Sequence, residues 1–214
     1  MDTTTTVESV ASVGSDTYAL RLHAPTGFAA EPGQFVKLGT EIDGESVARF
    51  YTLSSPRVDE TFEVTVGIDA EEGGAFSAFL ADASAGTEMT LSGPYGDHHY
   101  DGEPRVVVIA GGPGVGPAVA IAERALDDGG EAAVVYRDDD VAHADRIEAL
   151  RHRGASVRLL GADEPLTDAV AEAVVNADDE TVFVYGFGDL VDDATAAVAA
   201  AGGDPDAAKI ENFD

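Results

Sequence analysis

The sequence predicts a two-domain β + α/β chain: a six-stranded antiparallel β-barrel over residues 1–101, then a five-stranded parallel sheet wrapped by helices over residues 102–214. Three observations carry this. The first hundred residues run as short stretches of alternating apolar and polar side chains, broken by Gly, Pro and Asp-Gly. Near Asp101–Pro104 the pattern switches to continuous apolar runs separated by stretches of helical spacing. The chain has 214 residues and an apolar fraction of 44%, enough for two cores.

In the first half, Thr4–Val13 and Asp16–His23 alternate apolar and polar residues, with Gly14-Ser15 between them as a hairpin signal. Gln34–Leu38, Val47–Leu53, Thr61–Gly67 and Glu88–Leu91 are further β-branched or aromatic runs. Pro25, Gly27, Pro32-Gly33, Asp43-Gly44 and Gly93-Pro94 punctuate them. Ala75–Ala83 is the one helical stretch. Six short strands with a single helix suggest a small closed barrel, because closure removes unpaired strand edges.

In the second half, Arg105–Ala110 reads as a strand buried on both faces. Helix Ala118–Leu126, strand Ala132–Tyr136, helix Val141–Leu150, strand Ser156–Leu160, helix Leu166–Val175, strand Thr181–Tyr185 and helix Leu190–Ala201 follow, with a last strand at Ala208–Ile210. Strand–helix repetition of this kind gives a parallel, Rossmann-like sheet covered on both sides.

Composition narrows the chemistry. The chain has no cysteine, which excludes disulfides, thiolate nucleophiles, zinc–thiolate sites and cysteine-ligated clusters held by this chain. Lys and Arg number 12 against 41 Asp and Glu, a formal net charge of −29. The acids are spread throughout, and such self-repulsion is relieved only where salt screens it within ~3 Å, near 1 M. The expectation is a halophilic protein from a high-salt cytoplasm. With no basic patch to meet phosphates, neither nucleic acid nor an anionic membrane is an expected partner. The N-terminal Met1–Thr6 lacks a basic stretch followed by an apolar one, and no apolar run approaches the ~20 residues of a membrane span, so a cytoplasmic location is expected.

The segment Val106–Pro117 runs from a buried strand through Gly111, Gly112, Pro113, Gly114, Val115 and Gly116 into a helix. Missing Cβ atoms let a pyrophosphate approach the backbone, and the helix start offers unpaired N–H groups. Gly112, Gly114 and Pro117 stand where the three glycines of G-x-G-x-x-G would stand, and Pro117 suits a first helical turn. The bland alternative is a tight strand-to-helix turn with no ligand.

Three segments of the first half are hard to explain as structure alone: Arg49-Phe50-Tyr51-Thr52-Leu53-Ser54-Ser55, Gly73-Gly74-Ala75-Phe76-Ser77, and Gly93-Pro94-Tyr95-Gly96. With the glycine loop they resemble the ferredoxin–NADP⁺ reductase superfamily. Its R-x-Y-[S/T] flavin motif matches Arg49, Tyr51 and Thr52, and its G-x-x-S motif matches Gly74 and Ser77. P-G-Q matches Pro32–Gln34, G-P-x-G matches Gly93–Gly96, and the terminal E-x-aromatic matches Glu211 and Phe213.

The resemblance implies FAD (FMN less so) in the first half and NADH or NADPH in the second. Arg49 would pair with the flavin pyrophosphate, Tyr51 would stack on the ring, and Thr52 would lie near its hydride-accepting nitrogen, with Leu53 and Ser54 completing the motif. Gly73, Gly74, Ala75, Phe76 and Ser77 would cradle the pyrophosphate. Gly112–Pro117, Tyr185 and Gly186 would face the dinucleotide, and Glu211 and Phe213 would cover the other face of the flavin. No metal site is implied; adjacent His98-His99 point apart on an extended loop, and an aromatic contact to adenine from Tyr100 or a neighbouring His is the expectation there.

This chain departs from the family at three places. Tyr185-Gly186 stands where Cys-Gly is frequent, Pro113 stands where Thr is frequent, and Gly161–Glu164 offers carboxylates where a 2′-phosphate would bind, which favours NADH. The implied activity is hydride transfer between NAD(P)H and FAD, then electrons to a ferredoxin, flavodoxin or other acceptor docked through local cations such as Lys37, Arg57 or Arg105. The alternatives are a non-enzymatic or weakly active subunit of a larger complex and a dinucleotide sensor without flavin.

Overall fold

The structure, a computed structural model, describes residues 3–68 and 74–214. Strands β1 (Thr3–Ser12), β2 (Thr17–His23), β3 (Phe35–Ile42), β4 (Glu45–Thr52), β5 (Thr61–Gly67) and β6 (Glu88–Tyr95) form one six-stranded sheet in the order β4-β3-β6-β1-β2-β5, every pairing antiparallel. Asp43 and Gly44 link β3 to β4 with φ of 52° and 82°, the paired left-handed geometry that suits the twist of a two-residue hairpin. Inward side chains such as Leu20, Leu38, Val64 and Leu91 form one core, and helix α1 (Gly74–Ala81) plugs it with Phe76 and Leu80.

The sheet rolls, but its closure differs from a full barrel ladder. Among the described residues the outermost strands are joined at one antiparallel bridge, from Leu53 just past β4 to Val64 of β5, next to a 2.8 Å bond from the Ser54 N–H to the Glu63 carbonyl. The chain leaves β4 at Thr52, and the next two residues cross to β5 before a second rung forms.

The second sheet is parallel throughout, in the order β11-β10-β7-β8-β9, with β7 (Arg105–Gly111), β8 (Glu131–Arg137), β9 (Ser156–Leu160), β10 (Glu180–Gly186) and β11 (Lys209–Asn212). The apolar run of β7 has its reason here. Val106, Val108 and Ala110 face the core under helices α2 (Val115–Asp127) and α3 (Ala144–His152), while Val107 and Ile109 face α4 (Thr167–Ala173) and α5 (Gly188–Ala200). Two helix starts differ from the sequence pattern by three residues. Helix α2 begins at Val115, because a 3₁₀ turn at Gly112–Gly114 leads straight into it and Pro117 needs no N–H partner in a first turn. Helix α3 begins at Ala144 rather than Val141, because His143 takes a left-handed φ of 55°.

The two sheets are tied by specific contacts. Arg124 Nη1 donates to Glu31 at 2.8 Å, and Arg146 reaches Glu63, Glu123 and the Ser54 carbonyl. The buried His143 donates its N–H to the Val13 carbonyl and places Nε2 2.8 Å from Thr65 Oγ1. Among the described residues, no helix is long and apolar enough to cross a membrane.

Candidate active-site cleft

A cleft of about 1020 Å³ opens between the two sheets. One wall comes from the first sheet: Tyr51 and Thr52 at the end of β4, Phe35 and Phe50 beside them, residues 65–68 of β5, and the turn at Ser15–Thr17. The facing wall comes from the C-terminal ends of the parallel strands, where α/β folds place ligands: Gly112, Pro113 and Pro117 after β7, Asp138 and Asp140 after β8, Phe187 after β10, and Glu211–Asp214 at the chain's end.

The β4 motif divides by strand alternation and by where β4 ends. The half-buried ring of Tyr51 lies nearly parallel to Phe76, with centroids 6.3 Å apart. Burial pushes its hydroxyl up to about 12, opposed by the nearby Arg49 guanidinium. Thr52 is buried at the cleft wall. Arg49 is exposed, and its Nη1 donates to the Ala48 carbonyl at 2.9 Å. Leu53 and Ser54 line none of the cleft: both are fully buried where the chain crosses to β5, and among the described residues Ser54 Oγ has no hydrogen-bond partner. Of the G-x-x-S segment, Gly73 lies outside the described residues. Gly74 and Ala75 are exposed at the start of α1, Gly74 with φ 70° and open space where a Cβ would point; Ser77 is half-buried and Phe76 sits in the core beneath Tyr51.

The glycine loop serves packing more than the sequence suggests. Gly112, with φ 55°, and Pro113 and Pro117 face the cleft. Gly114, Val115 and Gly116 do not, and are buried for steric reasons. A Cβ on Gly114 would lie 2.2 Å from the Tyr185 carbonyl oxygen, and one on Gly116 would lie 2.5 Å from Thr65 Oγ1. The expected positions at Tyr185 and Gly186 need correction too. The Tyr185 side chain is fully buried in the core under α2 and α3, donating its hydroxyl to the His98 carbonyl at 2.8 Å, and burial holds that hydroxyl protonated far above its usual range. A Cβ on Gly186 would lie 2.3 Å from Leu190. The side chain at this end of the cleft is Phe187, 49% exposed, which sequence reasoning passed over because it follows the matched pair.

The C-terminal segment is held over the cleft. The Phe213 N–H donates to the Gly186 carbonyl at 3.0 Å, and the Gly188 N–H donates to Asp214 Oδ2 at 2.9 Å. The Phe213 ring meets Phe187 edge-on at 5.9 Å and 88°. Burial raises the Glu211 carboxyl above its ordinary value, opposed by the charge of His98.

Several other expectations fall elsewhere. Tyr100 is buried in the α/β core with Arg124 over its ring, so it does not face the cleft. His98 donates from Nδ1 to the Ile210 carbonyl at 2.7 Å and so fastens its loop to β11. The acids of Gly161–Glu164 are exposed and line none of the cleft: Glu164 accepts from the Gly161 N–H of its own turn, and Asp139 accepts from the Ala162 N–H. The carboxylates that line the cleft are Asp138 and Asp140.

The donor set fits a flavin dinucleotide. Almost every cation of this acidic chain is neutralised by a carboxylate, yet Arg49 beside the cleft has none among the described residues, as a phosphate-binding guanidinium requires. An aromatic ring and a hydroxyl adjoin it on one wall, and an aromatic stands on the other.

Comparison with known proteins agrees. Residues 4–100 match the family described as the oxidoreductase FAD-binding domain. The reductase subunit of glycine betaine monooxygenase from Chromohalobacter salexigens is 36% identical over 108 residues, 49% of this chain and 29% of that protein. The toluate 1,2-dioxygenase electron transfer component of Pseudomonas putida is 31% identical over 156 residues, 69% of this chain and 45% of that one. The chain thus spans less than half the length of these relatives. Among solved structures, the flavohem-like FAD/NAD-binding domain of nitric oxide dioxygenase from Vibrio cholerae superposes with a TM-score of 0.85 at 20% identity, covering 100% of this chain and 99% of that one. A ferredoxin NADP⁺ reductase from Neisseria gonorrhoeae with bound FAD and NADP gives 0.78 at 17% identity, with the same coverage. Residues 4–100 thus match the oxidoreductase FAD-binding family, and the whole chain has the two-sheet fold of the flavoprotein reductases, a ferredoxin NADP⁺ reductase among them.

Proposed function

We propose that this chain is a flavoprotein oxidoreductase that binds FAD against residues 1–101 and NADH or NADPH against residues 102–214, and that passes electrons to a ferredoxin, flavodoxin or other protein acceptor in the cytoplasm. The observation that carries this reading is that Tyr51 and Thr52 of the first half line one cleft with Phe213 of the second. Bound flavin would supply a hydride acceptor that can release electrons singly, and the protein's part is binding, orientation and exclusion of water.

Each residue has a physical task. Arg49 offers a two-pronged donor to phosphate oxygens, with Gly74 and Ser77 at the start of α1 as further donors. Tyr51, its ring backed by Phe76, gives a flat apolar surface for stacking. Thr52 presents a hydroxyl at the cleft wall. Gly112 and Pro113 leave the backbone open to a dinucleotide, and Asp138 and Asp140, acids at the C-terminal side of β8, favour ribose hydroxyls over a 2′-phosphate and hence NADH. Phe213 and Phe187 together cover the position a nicotinamide would take, so docking requires them to move.

The names of two relatives, a monooxygenase reductase subunit and a dioxygenase electron transfer component, favour a second form of the same reading, in which the chain is one electron-transfer subunit of a larger assembly. One experiment tests the core of both: an absorbance spectrum of the protein reconstituted with FAD in molar KCl, then anaerobic NADH and NADPH. A flavin band bleached by NADH at lower concentration than by NADPH is expected. Absence of bound flavin after reconstitution would overturn the roles given to Arg49, Tyr51 and Thr52.

A further inference from the structure

A second cavity, of about 310 Å³, lies at the seam of the two sheets. Among the described residues it shares no lining side chain with the cleft that holds Tyr51 and Thr52. Both halves build it: Ser54, Ser55 and Arg57 follow β4, Arg21 stands on β2, and Glu123 of α2 and Arg146 of α3 face them. In a chain of formal charge −29 its lining balances, with Arg21, Arg57 and Arg146 against Asp59, Glu63 and Glu123.

The acids of this cavity are largely spent. Arg146 grips both oxygens of Glu123 at 2.8 and 2.7 Å and reaches Glu63 at 3.1 Å, and it also donates to the Ser54 carbonyl at 2.8 Å. Asp59 is exposed, where salt screens its charge. The donors are not spent. Arg21 stands 3.8 Å from Glu8 and from Glu63, beyond hydrogen-bond reach, and makes no hydrogen bond among the described residues. Arg57 gives Nη2 to Asp128 at 2.8 Å and stands 3.8 Å from Asp127. Ser55 Oγ accepts the Glu63 N–H at 2.6 Å, which leaves its own proton to give. Ser54 Oγ is fully buried and has no partner among the described residues.

A buried hydroxyl with no partner costs stability, and it is retained at a profit only where something supplies an acceptor. Guanidinium groups with free N–H and hydroxyls with free protons select a group that accepts and does not donate. Cations are excluded by the arginines. The size admits an ion or a small carboxylate and not a dinucleotide. An oxyanion meets each demand, since its oxygens take charge-assisted bonds from guanidinium and ordinary ones from hydroxyls.

We propose that this seam cavity binds a small oxyanion, an inorganic one or a carboxylate, through Ser54, Ser55, Arg21 and Arg57. The bound anion holds the crossing from β4 to β5 directly after Thr52. The proposal stands apart from the reading of the cleft. The test uses the full chain with FAD added, in 1 M KCl, titrated with inorganic phosphate or with acetate and read by calorimetry and by urea unfolding. Wild type should bind one of the two and unfold at higher urea in its presence; phosphate alone assigns the site to an inorganic oxyanion, acetate alone to a carboxylate. Arg21→Gln and Ser54→Ala should each weaken that binding about fivefold or more. Ser54→Ala carries a further signature. Without the anion it should be at least as stable as wild type, because the orphaned hydroxyl is gone, and with the anion wild type should move ahead. Four results would overturn the proposal: no binding of either anion by wild type, binding that survives both substitutions, binding lost as fully in Arg49→Gln, which would place the anion in the cleft, or a Ser54→Ala variant less stable than wild type without the anion, which would mean that water already satisfies the hydroxyl. Failure of the flavin reading would show as FAD that does not bind, and would leave all four comparisons intact.

Discussion

At the scale of single residues, the glycine loop separates two uses of the same amino acid. Gly112 takes a left-handed φ of 55° at the cleft, where a Cβ would meet only the Phe187 ring in ordinary contact at 3.9 Å, whereas Gly114 is pressed against the Tyr185 carbonyl. Gly114→Ala is therefore expected to destabilise the fold by about 1–3 kcal/mol, since the added Cβ would meet a backbone carbonyl held in the parallel sheet. Gly112→Ala costs about 1–2 kcal/mol for a left-handed alanine and in addition weakens the dinucleotide, whose approach it blocks. Urea midpoints together with dinucleotide titration separate the two; an equal loss of dinucleotide affinity in both variants would refute the division.

His143 gives the second residue-scale prediction. Burial, reinforced by the Arg146 charge, lowers its pKa from 6.5 to about 3. The folded chain therefore resists a proton that the unfolded chain accepts. The stability contributed by keeping this ring neutral is present above pH 6.5 and is lost progressively as pH falls toward 3. In His143→Gln the amide can still reach Thr65, but nothing titrates there. The advantage of wild type over the variant, measured by urea unfolding in molar KCl, should shrink between pH 8 and pH 5. A constant difference across that range would show that His143 is not neutral by burial.

At the scale of elements, most of the architecture is legible in the sequence because it rests on periodicity. The continuous run of β7 reads as a strand covered on both faces, and it is covered by α2 and α3 on one side and α4 and α5 on the other. The Asp43-Gly44 hairpin reads from local turn chemistry. What does not read is anything set by a distant partner. The single bridge from Leu53 to Val64 depends on how far the sheet rolls, and burial of Tyr185 depends on a carbonyl 87 residues away. The contribution of β5 to the cleft is hidden for the same reason: Thr65 looks like an ordinary strand threonine until His143 and Gly116 close on it. Tyr51, Thr52 and Phe213, which the resemblance assigned to the flavin, all line the cleft; the first two end β4 and the third directly follows β11, so strand register fixes where their side chains go. β11 bears on function through register. Pairing of Tyr185 with Glu211 and Gly186 with Asn212 sets Phe213 over the cleft, and Asp214 locks it to the start of α5. Phe213→Ser should then tighten NADH binding severalfold, because a ring that must be displaced is gone, while the flavin loses its cover. Fluorescence titration with NAD⁺ checks the direction; weaker binding would mean that Phe213 holds the dinucleotide instead of blocking it.

At the scale of the whole molecule, the ion pairs that join the two sheets work against a surplus of like charge. Arg124 and Arg146 bind acids across the interface, yet the chain carries 41 acids against 12 Lys and Arg. The bridging pairs act at about 3 Å, where salt screens little, and the repulsion acts over many times that distance, where salt screens most of it. Raising KCl therefore removes more repulsion than attraction, and stability should climb from dilute buffer toward molar salt and then level off as the screening length approaches the contact distance. Sodium chloride and potassium chloride should act alike, because the effect is ionic strength and not a bound cation. Arg146→Ala should keep the same salt response from a lower starting point, by about 1–3 kcal/mol, since it leaves Glu63 and Glu123 facing each other across a partly buried interface. Thermal unfolding across a KCl series reads both effects. If the protein were equally stable in dilute buffer, the acidic surface would be one that the fold tolerates without screening, and its charge would have to be explained by solubility or by a partner instead.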